Sequence, residues 1–302
     1  MKDKRTMNIL ITGSNGFLGK RIANELSKEH TIHCLDLGPK NEDANLQSYA
    51  GDLTSKQDTA RLISELQNSR IDCVIHLASK LCSLENSSEW GLLDDNLSMT
   101  KNMVEIALRL KPQVFINASS VAVYPNRDGE HSENSAVDMC SNSDCLYGLS
   151  KFNAEVLFNY FLKDKMKVIN LRIAQVFGPG MRKDRIIPTL IKELKEKNKA
   201  AVYGSGERIV NHIHADDVAA AIQAIIENPK AGTFNLVNEH NLTTYELAQN
   251  IIQNYGNEGS QIERIEKGSR AKPVISSEKI RKAFNIRCSN LDFSNIDCKR
   301  DQ

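Results

Sequence analysis

The chain of 302 residues carries 39 lysines and arginines against 38 aspartates and glutamates, a formal net charge of +1. That balance gives no electrostatic footing for nucleic acid or an anionic membrane surface, and the length suits one large domain or two intimately joined ones. Cys34, Cys73, Cys82, Cys140, Cys145, Cys288 and Cys298 are scattered without paired metal-ligand spacing; although Cys140 and Cys145 lie close together, all read as thiols of a reduced protein. No long apolar run exists and the charged first residues do not resemble a secretory signal, so a cytoplasmic protein is expected, with no metal.

Met7 to Thr12 is a short apolar run of the kind a buried parallel strand needs, and Gly13-Ser14-Asn15-Gly16-Phe17-Leu18-Gly19 follows at once. Ile22, Ala23 and Leu26 then recur at helical spacing. In a strand, glycine turn and helix of this kind the backbone can approach a pyrophosphate, which sits on free amides at the helix N-terminus. The next strand, Thr31 to Asp36, ends on a carboxylate placed to hold adenosine ribose hydroxyls. Such a group repels a 2'-phosphate and no arginine follows to receive one, so NAD is favoured over NADP; Lys40 is the nearby cation that argues the other way. Asp36 also fits an ordinary strand-end turn.

Asp52-Leu53 closes a further apolar stretch, and Ile71 to Ser79 reads as a buried strand running into a loop. Asn96 to Leu110 has the apolar spacing of a helix, stopped by Pro112. Val114 to Ser120 is a strand that ends in hydroxyls, at the edge where doubly wound sheets place their ligands. Strands alternating with helices predict a parallel sheet covered on both faces. The polar stretch from Tyr124 to Asp144 reads as a loop over the site.

Tyr147 and Lys151 then stand at i and i+4 at the start of an apolar-periodic segment, which as a helix puts both on one face. A phenol is a poor base at neutral pH, and a neighbouring ammonium favours its ionised form. The pattern is short, and a solvated helix face would produce it too. Lys167 to Ile173 is a strand, Ile187 to Lys197 a helix, Val202-Tyr203 a short strand and Gly204 to Gly206 a turn. Asp216 onward reads as a capped helix start, Thr233 to Val237 as a strand, and Thr243 to Glu246 as a second cap for a helix through Ile252. Residues from Cys288 onward read as a frayed polar end. His212 and His214 alternate as metal ligands could, but no third ligand is evident and packing is the plainer reading. Trp90 fits either a substrate contact or a helix anchor.

Taken together the chain resembles the extended short-chain dehydrogenase/reductase family, the NAD-dependent epimerase/dehydratase group whose members act on nucleotide sugars. The resemblance rests on Thr12 to Gly19, Gly51-Asp52-Leu53, His76-Leu77-Ala78, Asn96, Ser119 to Tyr124, Tyr147 to Lys151, Leu171-Arg172, Phe177 to Gly180 and Asp216-Asp217-Val218. It implies a Rossmann-type doubly wound parallel sheet with a smaller C-terminal α/β part: residues 1–177, rejoined by 211–238, for NAD, and residues 178–210 with 239–302 for substrate. It assigns Ser120, Tyr147 and Lys151 to catalysis. Tyr147 would move the proton of a sugar hydroxyl, Lys151 would lower its pKa and hold the nicotinamide ribose, and Ser120 would hydrogen-bond the reacting oxygen. Cofactor contacts are expected from Gly13, Asn15, Gly16, Phe17, Leu18, Gly19, Asp36, Asp52, Leu53, Leu77, Ala78, Ser79, Asn96, Ser119, Tyr147 and Lys151. Substrate contacts are expected from Ser120, Tyr147, Gln175, Arg182 and Arg208, and the helices of Asn96 and Tyr147 would pack a homodimer.

Two departures bear on the substrate. Dehydratases of the family carry an acidic pair after the catalytic hydroxyl, where this chain has Val121 and Ala122, which argues against dehydration. Gln175 stands where relatives place an asparagine, and Val210 where many place a diphosphate-binding arginine, a role left to Arg208 or Arg182. The expected activity is inversion at C4 of a nucleotide sugar through a transient 4-keto sugar. A keto-sugar reductase or dehydrogenase needs the same residues, and a non-catalytic dinucleotide sensor could share the fold.

Overall fold

The structure is a computed structural model that describes residues 5–38, 46–268 and 270–296; Lys40 and Cys298 lie outside them. The first half runs β1 (Asn8–Thr12), α1 (Phe17–Leu26), β2 (Thr31–Asp36), β3 (Leu46–Ala50), α2 (Lys56–Leu66), β4 (Cys73–His76), α3 (Trp90–Leu110), β5 (Val114–Ser120), β6 (Gly129–His131), α4 (Cys145–Leu162) and β7 (Lys167–Ile173). The second half continues with β8 (Gln175–Phe177), α5 (Ile186–Lys197), β9 (Lys199–Tyr203), β10 (Ile209–Val210), β11 (His212–His214), α6 (Ala215–Glu227), β12 (Gly232–Leu236), β13 (Leu242–Thr243), α7 (Thr244–Tyr255), β14 (Gln261–Ile265), β15 (Pro273–Ile275) and α8 (Glu278–Phe284).

Among the described residues, a seven-stranded parallel sheet has the order β12-β7-β5-β4-β1-β2-β3. Its inner strands β2, β1, β4, β5 and β7 are buried almost end to end because both faces are covered, which is why they read as continuous apolar runs rather than alternating ones. Successive side chains of β1 still divide between the faces. Ile9 and Ile11 pack with Ile22 and Leu26 of α1 and Val218 and Ile222 of α6, whereas Leu10 packs with Leu62 of α2, Met103 of α3 and Phe158 of α4. Strand order reverses between β1 and β4, and the crevice beyond their carboxyl ends is where such sheets bind ligands. A third apolar cluster lies in the second half, where Ile187, Leu190, Ile191, Leu194, Leu247 and Ile251 of α5 and α7 meet Phe177.

Several expectations change on contact with the structure. Helix α3 begins at Trp90 rather than Asn96, and Trp90 is 71% exposed and does not line the cleft, so it does not anchor the helix by burial. The cap of α6 is His214, whose Nδ1 accepts from the amide of Asp216 at 3.2 Å; Asp216 itself is inside the helix. His212, by contrast, is buried against Phe177 and Phe293, as the packing reading expects. The tail is packed rather than frayed through Ile296. Phe293 (1% exposed) and Ile296 join the third cluster, and Ser289 donates to Asp217, so two apolar side chains in a polar segment suffice to dock it. Thr243 and Glu246 do form a reciprocal capping box on α7.

One buried polar network holds α4 to the sheet. Arg172 of β7 donates through Nε (3.0 Å) and Nη2 (2.8 Å) to the two oxygens of Glu155, and through Nη1 to the Tyr124 hydroxyl at 2.8 Å. Ser119 also donates to Glu155, and Tyr124 donates to Asn235 of β12 at 2.8 Å. Burial works against the guanidinium charge, but the hydrogen bonds and charge of Glu155 prevail and hold the Arg172 pKa above its ordinary value. Removing one partner leaves a buried charge alone, a cost of roughly 3–5 kcal/mol, while removing both costs far less. Arg172→Met is therefore expected to lower the urea midpoint sharply and Glu155→Leu/Arg172→Met to recover most of the loss; a single variant that unfolds at the wild-type midpoint would show that the pair does not hold α4.

Candidate active site

A cleft of about 1150 Å³ opens at the carboxyl ends of β1, β4 and β5 and extends to the start of α5 and the β10 segment. One end is built by the glycine turn. Gly13 has φ +71, and a Cβ there would meet the amide of Ala78 at 2.8 Å; a Cβ on Gly19 would meet the Gly13 carbonyl at 2.1 Å. Both close approaches require glycine, and together they bring the α1 N-terminus against the β4 loop. The N-cap of α1, Gly16, has no side chain to satisfy the first amides, and Phe17, Leu18 and Gly19 line the cleft. Free amides and the positive end of a helix dipole converge there, which fits a pyrophosphate.

Asp36 at the end of β2 lines the same end, and its carboxylate accepts from the amides of Asn15 (2.9 Å) and Gly38 (3.2 Å). Asp52 accepts from the amide and hydroxyl of Thr54 at 2.8 and 2.7 Å and, with Leu53, forms the adjoining wall. Thr12 hydrogen-bonds the buried His76 at 2.7 Å and accepts from Ala78 at 3.2 Å, which ties β1 to the Leu77-Ala78-Ser79 loop. Burial, with Lys151 nearby, pushes the His76 pKa down to about 3, so its ring is neutral.

The other end holds the proton-transfer groups. Helix α4 places Tyr147, Lys151 and Glu155 one turn apart on one face, and Glu155 locks that face to Arg172. Lys151 is 7% exposed, its Nζ donating to the Ala118 carbonyl at 2.9 Å and lying 5.5 Å from the centre of the Tyr147 ring. Burial pulls its pKa down to about 8. The Tyr147 phenol departs from the expectation of a lowered pKa. Burial raises it and the negative charge of Asp144 adds to that, while Arg185 and a hydrogen bond with Ser79 oppose the rise without cancelling it. The resting group is thus a phenol, a proton donor. Ser120 caps the short turn Val121–Val123, its Oγ accepting from the Ala122 amide at 3.1 Å, which leaves the hydroxyl proton to donate into the cleft.

Gly13, Asn15, Gly16, Phe17, Leu18, Gly19, Asp36, Asp52, Leu53, Leu77, Ala78, Ser79, Ser119, Ser120, Tyr147, Lys151, Gln175, Arg182 and Arg208 all line this cleft. Asn96 does not. Its buried amide accepts from the Lys80 amide (2.8 Å) and Ser79 hydroxyl (3.1 Å) and donates to the Lys80 carbonyl (3.0 Å) and Ser150 (3.1 Å), so it fastens the β4 loop to α4 from behind. Arg182 bonds Asp184, whereas Arg208 is exposed to the cleft with no side-chain hydrogen bond among the described residues, Asp144 being a charge it faces. Sequence reading passed over Lys80, which pairs with Asp95 at 2.7 Å, and Arg185, whose Nη2 donates to the Cys82 carbonyl at 2.9 Å and bridges α5 to the β4 loop. It also left Asp144 and Asn142 unassigned. The charged run from Arg182 to Arg185 after Gly-Pro-Gly was the signal for Arg185; the others became visible only when the loops closed on one another.

Solved structures share this architecture. The UDP-glucuronic acid 4-epimerase of Bacillus cereus, in complex with UDP-glucuronic acid and NAD, superposes with a TM-score of 0.80 at 21% identity, covering 94% of this chain and 95% of that one. DesIV, a dTDP-glucose 4,6-dehydratase of Streptomyces venezuelae with NAD bound, gives 0.81 at 20% identity over 95% and 94%. In sequence, an uncharacterized UDP-glucose epimerase of Bacillus subtilis is 27% identical over 241 residues, 74% of this chain and 73% of that protein. The dTDP-D-glucose 4,6-dehydratase of Dictyostelium discoideum is 26% identical over 269 residues, 81% of this chain but only 61% of the length of that relative. The profile of the NAD dependent epimerase/dehydratase family matches residues 9–238. With a glycine turn and parallel sheet that match that family in structure as well, the chain belongs to the NAD-dependent epimerase/dehydratase enzymes of the extended short-chain dehydrogenase/reductase group.

Proposed function

We propose that this enzyme inverts C4 of a nucleotide sugar through a transient 4-keto sugar. The observation that carries the reading is one cleft lined by the Ser120 hydroxyl, the Tyr147 phenol and the Lys151 ammonium together with apolar Val121 and Ala122. Elimination of water needs a further proton-transfer group beside the reacting hydroxyl, and neither of those side chains can ionise. NAD, when bound, supplies a hydride acceptor and a positive ring that favours the phenolate. The chain does the rest. Ser120 donates to the reacting oxygen and fixes its position; Tyr147, a phenol at rest, first loses its own proton to solvent when the cofactor is bound, then takes the hydroxyl proton and returns it when the carbonyl is reduced; Lys151, charged at neutral pH, holds the ribose and favours the ionised tyrosine.

The glycine-turn amides hold the pyrophosphate of NAD, and Asp36 holds the adenosine ribose and disfavours a 2'-phosphate. Arg208, unengaged and facing the cleft, is the better candidate for the substrate diphosphate than Arg182, which is occupied by Asp184. Gln175, with a free amide in the cleft, contacts the sugar. Residues 1–177 and 211–238 serve the cofactor, and 178–210 with 239–302 close over the substrate, a division supported by the separate apolar cluster of the second half. Val156, Tyr160 and Phe161 of α4 and Trp90 of α3 are large exposed apolar side chains, which supports homodimer packing through these helices. No helix among the described residues is long and apolar enough to span a membrane. None of the six described cysteines is in a disulfide, as in a cytoplasmic enzyme.

Cofactor released by denaturing the purified protein is expected to be NAD, and a panel of nucleotide sugars should yield a C4 isomer with no net NADH; stoichiometric consumption of added NADH or NADPH would replace the epimerase by a reductase. Because Lys151 titrates near 8 when folded and near 10.4 when unfolded, the unfolded chain holds an extra proton between those values. Stability therefore rises with pH across that window, from a penalty on the order of 3 kcal/mol below it. Inactive Lys151→Met should be the more stable protein in urea at pH 7, its advantage shrinking towards pH 10; a constant difference would place the lysine in a solvated site. Tyr160→Asp/Phe161→Asp is expected to sediment as a monomer where the wild type sediments as a dimer, and an unchanged sedimentation coefficient would exclude this face as the interface.

A further inference from the structure

Asp36, Asp52, Asp95 and Asp144 are the carboxylates that line the cleft among the described residues. The first three are engaged: Asp36 by two amides, Asp52 by Thr54, Asp95 by Lys80. Asp144 is not. It occupies the N-cap of α4 yet its side chain does not cap that helix, and its hydrogen bonding is confined to its own amide. A carboxylate can accept about four hydrogen bonds, so most of this capacity faces the cleft. The group is half-buried and stands one turn before Tyr147, close enough to disturb that phenol. Arg185 and Arg208 are the cations that face it, but Arg185 is engaged by the Cys82 carbonyl and by Asp184 rather than by Asp144. Arg208 faces it without a hydrogen bond or ion pair among the described residues, and the Cys82 and Cys145 thiols are its other neighbours.

We propose that Asp144 selects the sugar by charge, accepting hydrogen bonds from the hydroxyls of a neutral hexose beside Tyr147 and rejecting a hexose that carries a carboxylate. The inference rests on the nucleotide-sugar reading above. A uronate would bring a second negative charge into a partly desolvated cleft and would remove the hydroxyl donor that satisfies Asp144. Burial pushes the Asp144 carboxyl above the ordinary carboxylate range, while its own amide and the charges of Arg185 and Arg208 oppose the rise.

The test uses the NAD-loaded full-length enzyme with paired ligands, UDP-glucose against UDP-glucuronate and their dTDP, ADP and GDP counterparts, by calorimetric binding and by turnover. Wild type should bind the neutral hexose at least about tenfold more tightly than the uronate, and Asp144→Asn, which keeps the shape and removes the charge, should shrink that ratio by about the same factor. Asp144→Ser provides a second variant of smaller volume, and circular dichroism verifies that both fold. A wild type that prefers the uronate, or a ratio unmoved in either folded variant, overturns the assignment of Asp144. A wild type that binds no member of any pair overturns the nucleotide-sugar reading itself, and with it this inference.

Discussion

The bidentate pair between Arg172 and Glu155 is the constraint on which the site depends. It joins a side chain from β7 to one from α4 in the protein interior, and Ser119, Tyr124 and Asn235 complete its hydrogen bonds. A buried ion pair adds little net stability compared with apolar packing, but it tolerates few geometries. Here the geometry matters because Glu155 shares its helix face with Lys151 and Tyr147. Rotating α4 to move the tyrosine would break two charge-assisted hydrogen bonds, so the phenol's position is set eight residues away from it.

The same interior that fixes the groups also sets their charge. Burial makes the phenol hold its proton, makes the lysine ready to lose one near pH 8, and keeps His76 neutral. Lys151 keeps its charge at neutral pH because burial lowers its pKa only to about 8, and its ammonium donates to the Ala118 carbonyl, near the end of the strand that also delivers Ser119 and Ser120. The cleft thus stores an acid beside a cation with a tunable proton. Such pairs of environments, pushing two groups in opposite directions, are characteristic of sites that move protons.

The two ends of the cleft are built by different means. At the glycine turn the contacts are backbone on backbone, with Gly13 against Ala78 and Gly19 against the Gly13 carbonyl, so only residue size is at stake. At the other end the wall is made of long charged side chains, Lys80, Arg182, Arg185 and Arg208, and of Asp144 at a helix start. A family can keep the first and vary the second, which is consistent with the range of sugars named for its relatives.

The central strands, the glycine turn, the Tyr147 helix and the capping box at Thr243 are legible in the sequence because each depends on neighbours only a few residues away: apolar runs, glycine spacing, and side chains one turn apart. The cleft-lining positions read from motif order were legible for a related reason, since the motifs end strands that all point their carboxyl ends at one crevice. What the sequence did not disclose depends on contacts across long separations. Asn96 turned from the cleft to brace a loop, His214 took the cap that Asp216 seemed to offer, and Phe293 docked a polar tail onto Phe177. The protonation of Tyr147 belongs with these. Spacing placed a lysine beside it, but the depth of burial and the charge of Asp144 outweigh that lysine, and both arise only when helix, loop and sheet are packed together.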